Sequence, residues 1–433
     1  MTARPNIILI ILDACRRDAL EPYAPAPTRI KSGAHTPVLM GLAEEGVVIA
    51  DCQSTSSCTA ISVASILTGR GPHQHGITTL VGGSLLQGVP TVGAHLQGAG
   101  YTTAFFPSTA VLNRTTQLNR GFHHFDDGFL EPLYRDLSLG RILDLPLFRR
   151  HFYKPPKDRV VAGSLRFCEV TTDAALRWMS KTPDPLMAVI HYLEPHYPYW
   201  PPEGWRVSED PLDQANYHAS LRYLDAVCLE RILHVVRARG SDTLLLITSD
   251  HGEYWGTHGF RPTGDHGDLY QEVLAVPLIV WGTGASMLRQ SWDAPWSHVD
   301  LVPTILRLSG VQSPRGGEGA DCPMVTQIVS ENRPRHSWED AAFNDPAYVE
   351  AMGGFRRGGV AVRTGSHKLI ERAPGLGGPE LYDLASDPEE RRNLVDFSSG
   401  LRQALLPSLP PPIVYETTPQ PDLTRRLAAL GYF

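Results

Sequence analysis

The sequence predicts an α/β protein with a mainly parallel central sheet and a smaller C-terminal α+β part. Three observations carry that expectation. Asn6–Leu12, Met187–Leu193 and Thr243–Thr248 are near-continuous apolar runs rich in Ile, Leu and Val; strands covered by helices on both faces read this way, whereas half-solvated strands alternate. Segments of helical period separate these runs. Each run also stops at polar residues, namely Asp13, then Glu194-Pro195-His196, then Ser249-Asp250-His251, and open α/β sheets bind ligands beyond the carboxyl ends of their strands.

Taken in order, the first strand ends in Asp13-Ala14-Cys15-Arg16-Arg17-Asp18. Thr36-Pro37 to Glu45-Gly46 reads as a helix with Pro in its first turn and Gly as its stop. The stretch Ser56 to Arg70, followed by Gly71-Pro72-His73-Gln74-His75-Gly76, organises the chain: small hydroxylated residues, an Ala-Ser-Ile-Leu helical run, then a Gly-Arg-Gly-Pro turn. A hydroxyl at a helix N-terminus sits where backbone N–H groups and the helix dipole favour an anion; an ordinary Ser/Thr cap is the plainer alternative. A helix is expected over Val92–Gln97, a strand over Tyr101–Phe106, and a helix over Arg166–Ser180. Asp213–Arg239 should form one long amphipathic helix stopped by Gly240, and Val276–Val280 should resume the sheet. Ser297–Leu306 opens a further helix. Residues 312–335 are rich in Gly, Pro and charge and read as a crossing. Short strands at Val360–Arg363, His367–Ile370 and Glu380–Leu384 follow. The expected domains are 1–315, a large α/β unit, and 336–433, a smaller α+β part; a catalytic role for the first and a small antiparallel sheet in the second are what the resemblance described below implies. Phe148–Pro156 mixes aromatics with cations, as a lid, a contact for an anionic substrate, or a plain surface excursion would.

The 433 residues suffice for one large α/β unit plus an appendage. A net charge of −7 leaves no global basic field to recruit nucleic acid. None of the six cysteines forms a CxxC or a zinc-finger spacing. The run Ile7–Leu12 is too short to span a bilayer, and no signal-peptide apolar region precedes it. The expectation is a cytoplasmic protein with reduced thiols and no membrane span; a homo-oligomer is left open.

Several motifs resemble the sulfatase-like branch of the alkaline phosphatase superfamily. Leu12-Asp13, Arg16 and Asp18 match its Leu-Asp-x-x-Arg-x-Asp, although the second Asp of many sulfatases is here Ala14. Pro195-His196-Tyr197-Pro198-Tyr199 matches Pro-His-x-Pro-Tyr, and Ser249-Asp250-His251-Gly252-Glu253 is a specific strand-end signal. True sulfatases carry Cys-x-Pro-Ser-Arg and then Leu-Thr-Gly-Arg. Anchoring on Leu67-Thr68-Gly69-Arg70 places Thr59 at the nucleophile position, Ile61 at the Pro, Ser62 at the Ser and Val63 at the Arg; Cys58 falls one residue early. Sulfatases oxidise that Cys to formylglycine, whereas relatives with Thr act on phosphorus, as in the Thr-nucleophile branch similar to phosphonate monoester hydrolases. The resemblance covers nearly the whole chain, weakest at 128–160 and 312–335, and implies an alkaline phosphatase-like sandwich.

The resemblance also implies a site. Asp13, Thr59, Asp250 and His251 would hold one divalent metal ion. Two carboxylates and an imidazole suit Mn²⁺ or Zn²⁺ first, with Fe²⁺ and Ca²⁺ behind, since calcium prefers all-oxygen shells. No Asp-x-x-x-His lies between Thr59 and Asp250, which favours a single ion; His191, His196, His258 and His266 are the residues from which a second site would be built. Thr59 is the expected covalent nucleophile, His196, His266 and Arg70 the contacts to a small anionic ester, and His258 and His266 the candidates to protonate the leaving group. The leading function is hydrolysis of phosphate or phosphonate esters. The alternatives are transfer to a hydroxyl acceptor, a sulfatase, and a non-catalytic binding module.

Overall fold

The computed structural model describes residues 4–23, 34–78, 83–128, 161–162, 165–210, 212–255, 258, 269–289, 295–312, 328–329, 359–372 and 377–409. Strand β1 (Asn6–Asp13) runs through the centre of the larger sheet. It is followed by helix α1 (Pro37–Glu45), strand β2 (Val47–Val48), helix α2 (Thr59–Thr68), helix α3 (Val92–Gly98), and strands β3 (Thr102–Phe106) and β4 (His124–Phe125). Helix α4 (Cys168–Met179), strand β5 (Leu186–Pro195), strand β6 (Thr243–Ser249), strand β7 (Leu278–Gly282) and helix α5 (Leu301–Leu308) complete this part.

The seven strands lie in the order β2-β7-β6-β1-β5-β3-β4. The five from β6 to β4 are parallel, while β7 and β2 add an antiparallel edge. Period-2 alternation sends the two faces of β1 into different cores. Ile7, Leu9 and Ile11 pack with Ile61, Ala64 and Leu67 of α2; Ile8, Ile10 and Leu12 pack with the helical layer opposite, including Leu39, Ala175 and Ile232. All eight residues of β1 are buried, as the unbroken apolar run requires.

Two expectations change in detail. The helix expected over 213–239 is helical from Gln214 to Ala238, but Leu224–Leu229 forms a π-helical turn. That turn aims the Asp225 carboxylate at the start of α1, where it accepts the N–H groups of Val38 (3.0 Å) and Leu39 (2.9 Å). Thr36, the residue before α1, makes no side-chain cap of its own, so a neighbouring helix satisfies those donors. The strand expected over 276–280 is divided at Pro277, which has no N–H for a ladder. Ala275–Val276 pairs with Cys52–Gln53, and Leu278–Gly282 joins the main sheet.

The C-terminal sheet is antiparallel, in the order β8 (Ile328–Val329), β9 (Gly359–Thr364), β10 (His367–Arg372), β11 (Glu380–Asp383). It takes in residues upstream of the expected boundary at 336. Ala361, Ile370 and Tyr382 from this sheet share a core with Tyr254, Leu269, Tyr270, Val273 and Leu274. Arg363 grips Asp51 through two hydrogen bonds of 2.8 and 2.5 Å. Among the described residues no helix is long and apolar enough to cross a membrane. The Phe148–Pro156 segment lies outside the described residues.

Candidate active site

Three adjacent strands, β6, β1 and β5, deliver polar residues to one point above their carboxyl ends. A register shift between Leu12 and Asp13 re-aims the end of β1, as bulges do beside sites. Ala14 follows in the left-handed region at φ 58°, and its N–H donates to Asp250 Oδ1 at 3.0 Å. The His251 N–H donates to the same oxygen at 2.7 Å. Gly252 lets the chain leave the site, because a Cβ there would meet the Glu272 carbonyl oxygen at 2.1 Å.

Thr59 is the first residue of α2, and Cys58 precedes it in extended conformation without a side-chain cap. The Thr59 Oγ1 lies 3.3 Å from His251 Nε2. Cys58 instead belongs to the apolar core with Ile61 and Leu67. Helix α2 is buried along its whole length and closes on Gly69 at φ 63°.

His251 Nε2 stands 3.7 Å from Asp13 Oδ1 and 3.5 Å from Asp250 Oδ2. Two ligand atoms each about 2.1 Å from one ion at a tetrahedral angle are roughly 3.4 Å apart. Asp13 and Asp250 are 2 % and 0 % exposed, yet among the described residues Asp13 Oδ1 and Asp250 Oδ2 have no hydrogen-bond partner. Orphaned buried carboxylate oxygens are costly unless a cation meets them. The donor set therefore fits a divalent metal ion. Burial, then the charges of Asp250 and Glu253, push the Asp13 carboxyl well above the usual carboxylate range. Burial would raise Asp250 too, but the imidazoles of His251 and His191 and the two N–H donors bring it below that range.

A second layer supports this one. Burial lowers His298 to about 4, so its ring is neutral at ordinary pH. Its Nε2–H donates to the Ser249 carbonyl at 2.9 Å, and its Nδ1 lies 3.0 Å from Ser62 Oγ, which itself donates to the Asp250 carbonyl at 2.5 Å. Ser54 Oγ donates to the Asp250 carbonyl at 2.5 Å. Helix α2 and the Asp250-His251 turn are thereby tied together.

The remaining expected residues are distributed unevenly. His196 follows β5, its Nδ1 bonded to the Tyr197 carbonyl. Burial and then the neighbouring His251 lower it to about 4, which places it within electrostatic reach of the cluster. Arg70 is not brought to the cluster: it lies past the far end of α2, roughly 15 Å from Thr59 by helical rise, and its charge is felt by His95. His258 is also held elsewhere. Its ring nitrogens meet Glu272 Oε1 (3.2 Å) and the Glu390 carbonyl (3.1 Å), and its ring stacks on Tyr270 at 3.8 Å. It joins the C-terminal sheet to the main domain, and both nitrogens are engaged there. His266 lies outside the described residues. His191, which the sequence offered only as part of a second site, stands with its Nε2 3.7 Å from Asp13 Oδ2; the signal was its odd-numbered place on a strand whose other odd residues are apolar.

The Sulfatase family model matches residues 5–311, more than half of the chain. The chain belongs to the sulfatase family. A second family model, the C-terminal part of N-sulphoglucosamine sulphohydrolase, matches 256–404. The chain is 23 % identical to the uncharacterized sulfatase YidJ of Escherichia coli, over 91 % of this chain and 83 % of that protein. It is 25 % identical to the choline-sulfatase of Rhizobium meliloti, over 92 % and 84 %. In fold it is similar to the phosphonate monoester hydrolase of Agrobacterium radiobacter, with a TM-score of 0.66 at 18 % identity, covering 94 % of this chain and 95 % of that one. The sulfatase family thus accounts for the mainly parallel central sheet and for the small antiparallel sheet that follows it.

Proposed function

We propose that this member of the sulfatase family hydrolyses phosphate or phosphonate esters through a covalent Thr59 intermediate. The carrying observation is that Thr59, and not Cys58, presents its side chain to the cluster, at 3.3 Å from His251 Nε2. Threonine cannot become formylglycine, so hydroxyl chemistry is what remains at that position. Thr59 Oγ attacks phosphorus in line and loses its proton; the bond to the ester oxygen breaks, and the departing alkoxide takes up a proton. Water then cleaves the Thr59 O–P bond and restores the hydroxyl. Phosphoryl transfer asks mainly for positioning and charge stabilisation, which the N-terminus of α2 and His196 offer to the equatorial oxygens. A divalent cation held by Asp13, Asp250 and His251, Mn²⁺ or Zn²⁺ by donor chemistry, supplies Lewis-acid stabilisation there.

The test is a panel of aryl phosphate mono- and diesters, phosphonate esters and sulfates, turned over by metal-loaded enzyme. Thr59→Ala should lose on the order of 10⁴-fold or more in rate, as removal of a covalent nucleophile does, and Thr59→Ser should keep part of it. Acid quenching during turnover should leave phosphothreonine at position 59. Near wild-type turnover by Thr59→Ala would sink the covalent route. The names of the relatives above favour a second reading, a sulfate ester hydrolase; faster turnover of sulfates than of every phosphorus ester would establish it. A hydroxyl acceptor that captures the group in place of water would make the enzyme a transferase.

A further inference from the structure

His191 occupies a position that strand alternation assigns to an aliphatic side chain. Met187 and Val189, on the same face of β5, lie in the apolar core beneath α2, and His191 pairs with Ile11 of β1 in register. The residue is 0 % exposed, and its Nε2 has no hydrogen-bond partner among the described residues. Leaving such a nitrogen unmet in a dry interior is costly, so either the position is strained or something else meets it. The other ring nitrogen is already committed: Nδ1 lies 2.8 Å from Ser108 Oγ. A proton on Nδ1 donated to that hydroxyl leaves a lone pair on Nε2, the tautomer of a metal-ligating imidazole whose second nitrogen is anchored.

That lone pair faces Asp13 Oδ2 at 3.7 Å, too far for a hydrogen bond. It is the same separation as that between His251 Nε2 and Asp13 Oδ1 on the other side of the carboxylate. One ligand atom from each of Asp13, His191 and Asp250 lies within 4.8 Å of the others, and His251 Nε2 meets the same two carboxylates at 3.7 and 3.5 Å. We infer that His191 Nε2 is a ligand of the same divalent cation as Asp13, Asp250 and His251. The inference rests on the metal reading given under the proposed function and extends it to a shell of two imidazoles and two carboxylates. Such a shell selects Zn²⁺, Mn²⁺ or Fe²⁺ over Ca²⁺.

The experiment uses the full chain, stripped with a chelator and reloaded. Elemental analysis counts ions per chain, electron spin-echo modulation on the Mn²⁺-loaded protein counts coordinated imidazole nitrogens, and competition with a chromophoric chelator gives Zn²⁺ affinity. The wild type should bind one ion with two imidazole nitrogens. His191→Ala should show one nitrogen and lose on the order of 10²-fold or more in Zn²⁺ affinity, and Ser108→Ala should keep both nitrogens while weakening affinity about tenfold. Circular dichroism of the metal-free variants checks the fold. If His191→Ala does not fold, the wild-type nitrogen count and Ser108→Ala decide. A single coordinated nitrogen in the wild type, unchanged count and affinity in His191→Ala, or two ions per chain would overturn the assignment while leaving a cation at Asp13, Asp250 and His251. A wild type that binds no transition metal would overturn both.

Discussion

Replacing Lys368 by Met should expose the cost of a charge that the C-terminal sheet hides. Lys368 on β10 is 0 % exposed, and its Nζ lies 2.6 Å from Glu390 Oε1, whose side chain is 1 % exposed. The other carboxylate oxygen accepts the Gln271 N–H at 2.5 Å. Met keeps most of the aliphatic stem, so the packing change is under about 1.5 kcal/mol. Deleting one partner of a buried pair costs roughly 3–5 kcal/mol, because the survivor stays charged in a dry place. Here protonation sets a ceiling. A glutamate with an ordinary value of 4.5 can be neutralised at pH 7 for about 3.4 kcal/mol, and at pH 5.5 for about 1.4, at 1.36 kcal/mol per unit. Burial already raises Glu390 in the native protein, and loss of the lysine raises it further. The folded variant then holds a proton that the unfolded chain releases above 4.5, so its deficit grows as pH rises from that value. Urea unfolding of wild type and Lys368→Met should differ by about 3 kcal/mol at pH 7 and by about half that at pH 5.5, with Glu390→Gln in the same chain recovering most of the loss. A deficit below about 1 kcal/mol at pH 7, or one independent of pH, would refute the reasoning.

Cys58→Ser should retain turnover, since Cys58 lies in the core beside the nucleophile position; loss of activity in Cys58→Ser with full activity in Thr59→Ser would shift the register by one and revive formylglycine chemistry. His75 predicts an acid limb of stability. Its Nδ1 accepts the Ile77 N–H at 3.1 Å and its Nε2 donates to Ser65 Oγ at 3.0 Å, and burial lowers it from 6.5 to about 3. Folded chains therefore bind fewer protons than unfolded ones between those values, and stability should fall as pH drops below 6.5. His75→Gln should flatten that fall by about 1.4 kcal/mol per pH unit in denaturant midpoints; an unchanged slope would exclude His75 as its source.

The central strands were legible because burial on both faces imposes a composition that nothing else mimics: β1 was expected over 6–12 and runs from Asn6 to Asp13. The strand-end positions of Asp13, Asp250 and His251 were legible from the same runs and the motifs that end them, and the folded chain brings the three side chains within 3.5–3.7 Å contacts through His251 Nε2. His191 was harder to place, because within an apolar run a single histidine carries no mark of what it faces. Arg70 looked like part of the nucleophile motif by adjacency, but a ten-residue helix separates it from Thr59. His258 sat among glycines that resemble a ligand loop, and only the folded chain reveals its partners on Glu272 and Glu390. The Asp225 contact with α1 is likewise invisible in sequence, because it joins residues 186 positions apart.

The strand order β6-β1-β5 has a consequence for how the molecule forms. Its cluster is stitched from opposite ends of the domain, with Ala14 bonded to Asp250 across 236 positions. Parallel pairings of that span must close a long loop before any contact repays the entropy, so they are slow and late in folding. No fragment ending before β6 contains the cluster. Whatever cation binds there rewards only the completed sheet, by mass action on the finished state. A domain with its central three strands misordered would not bring Asp13, Ala14 and Asp250 together.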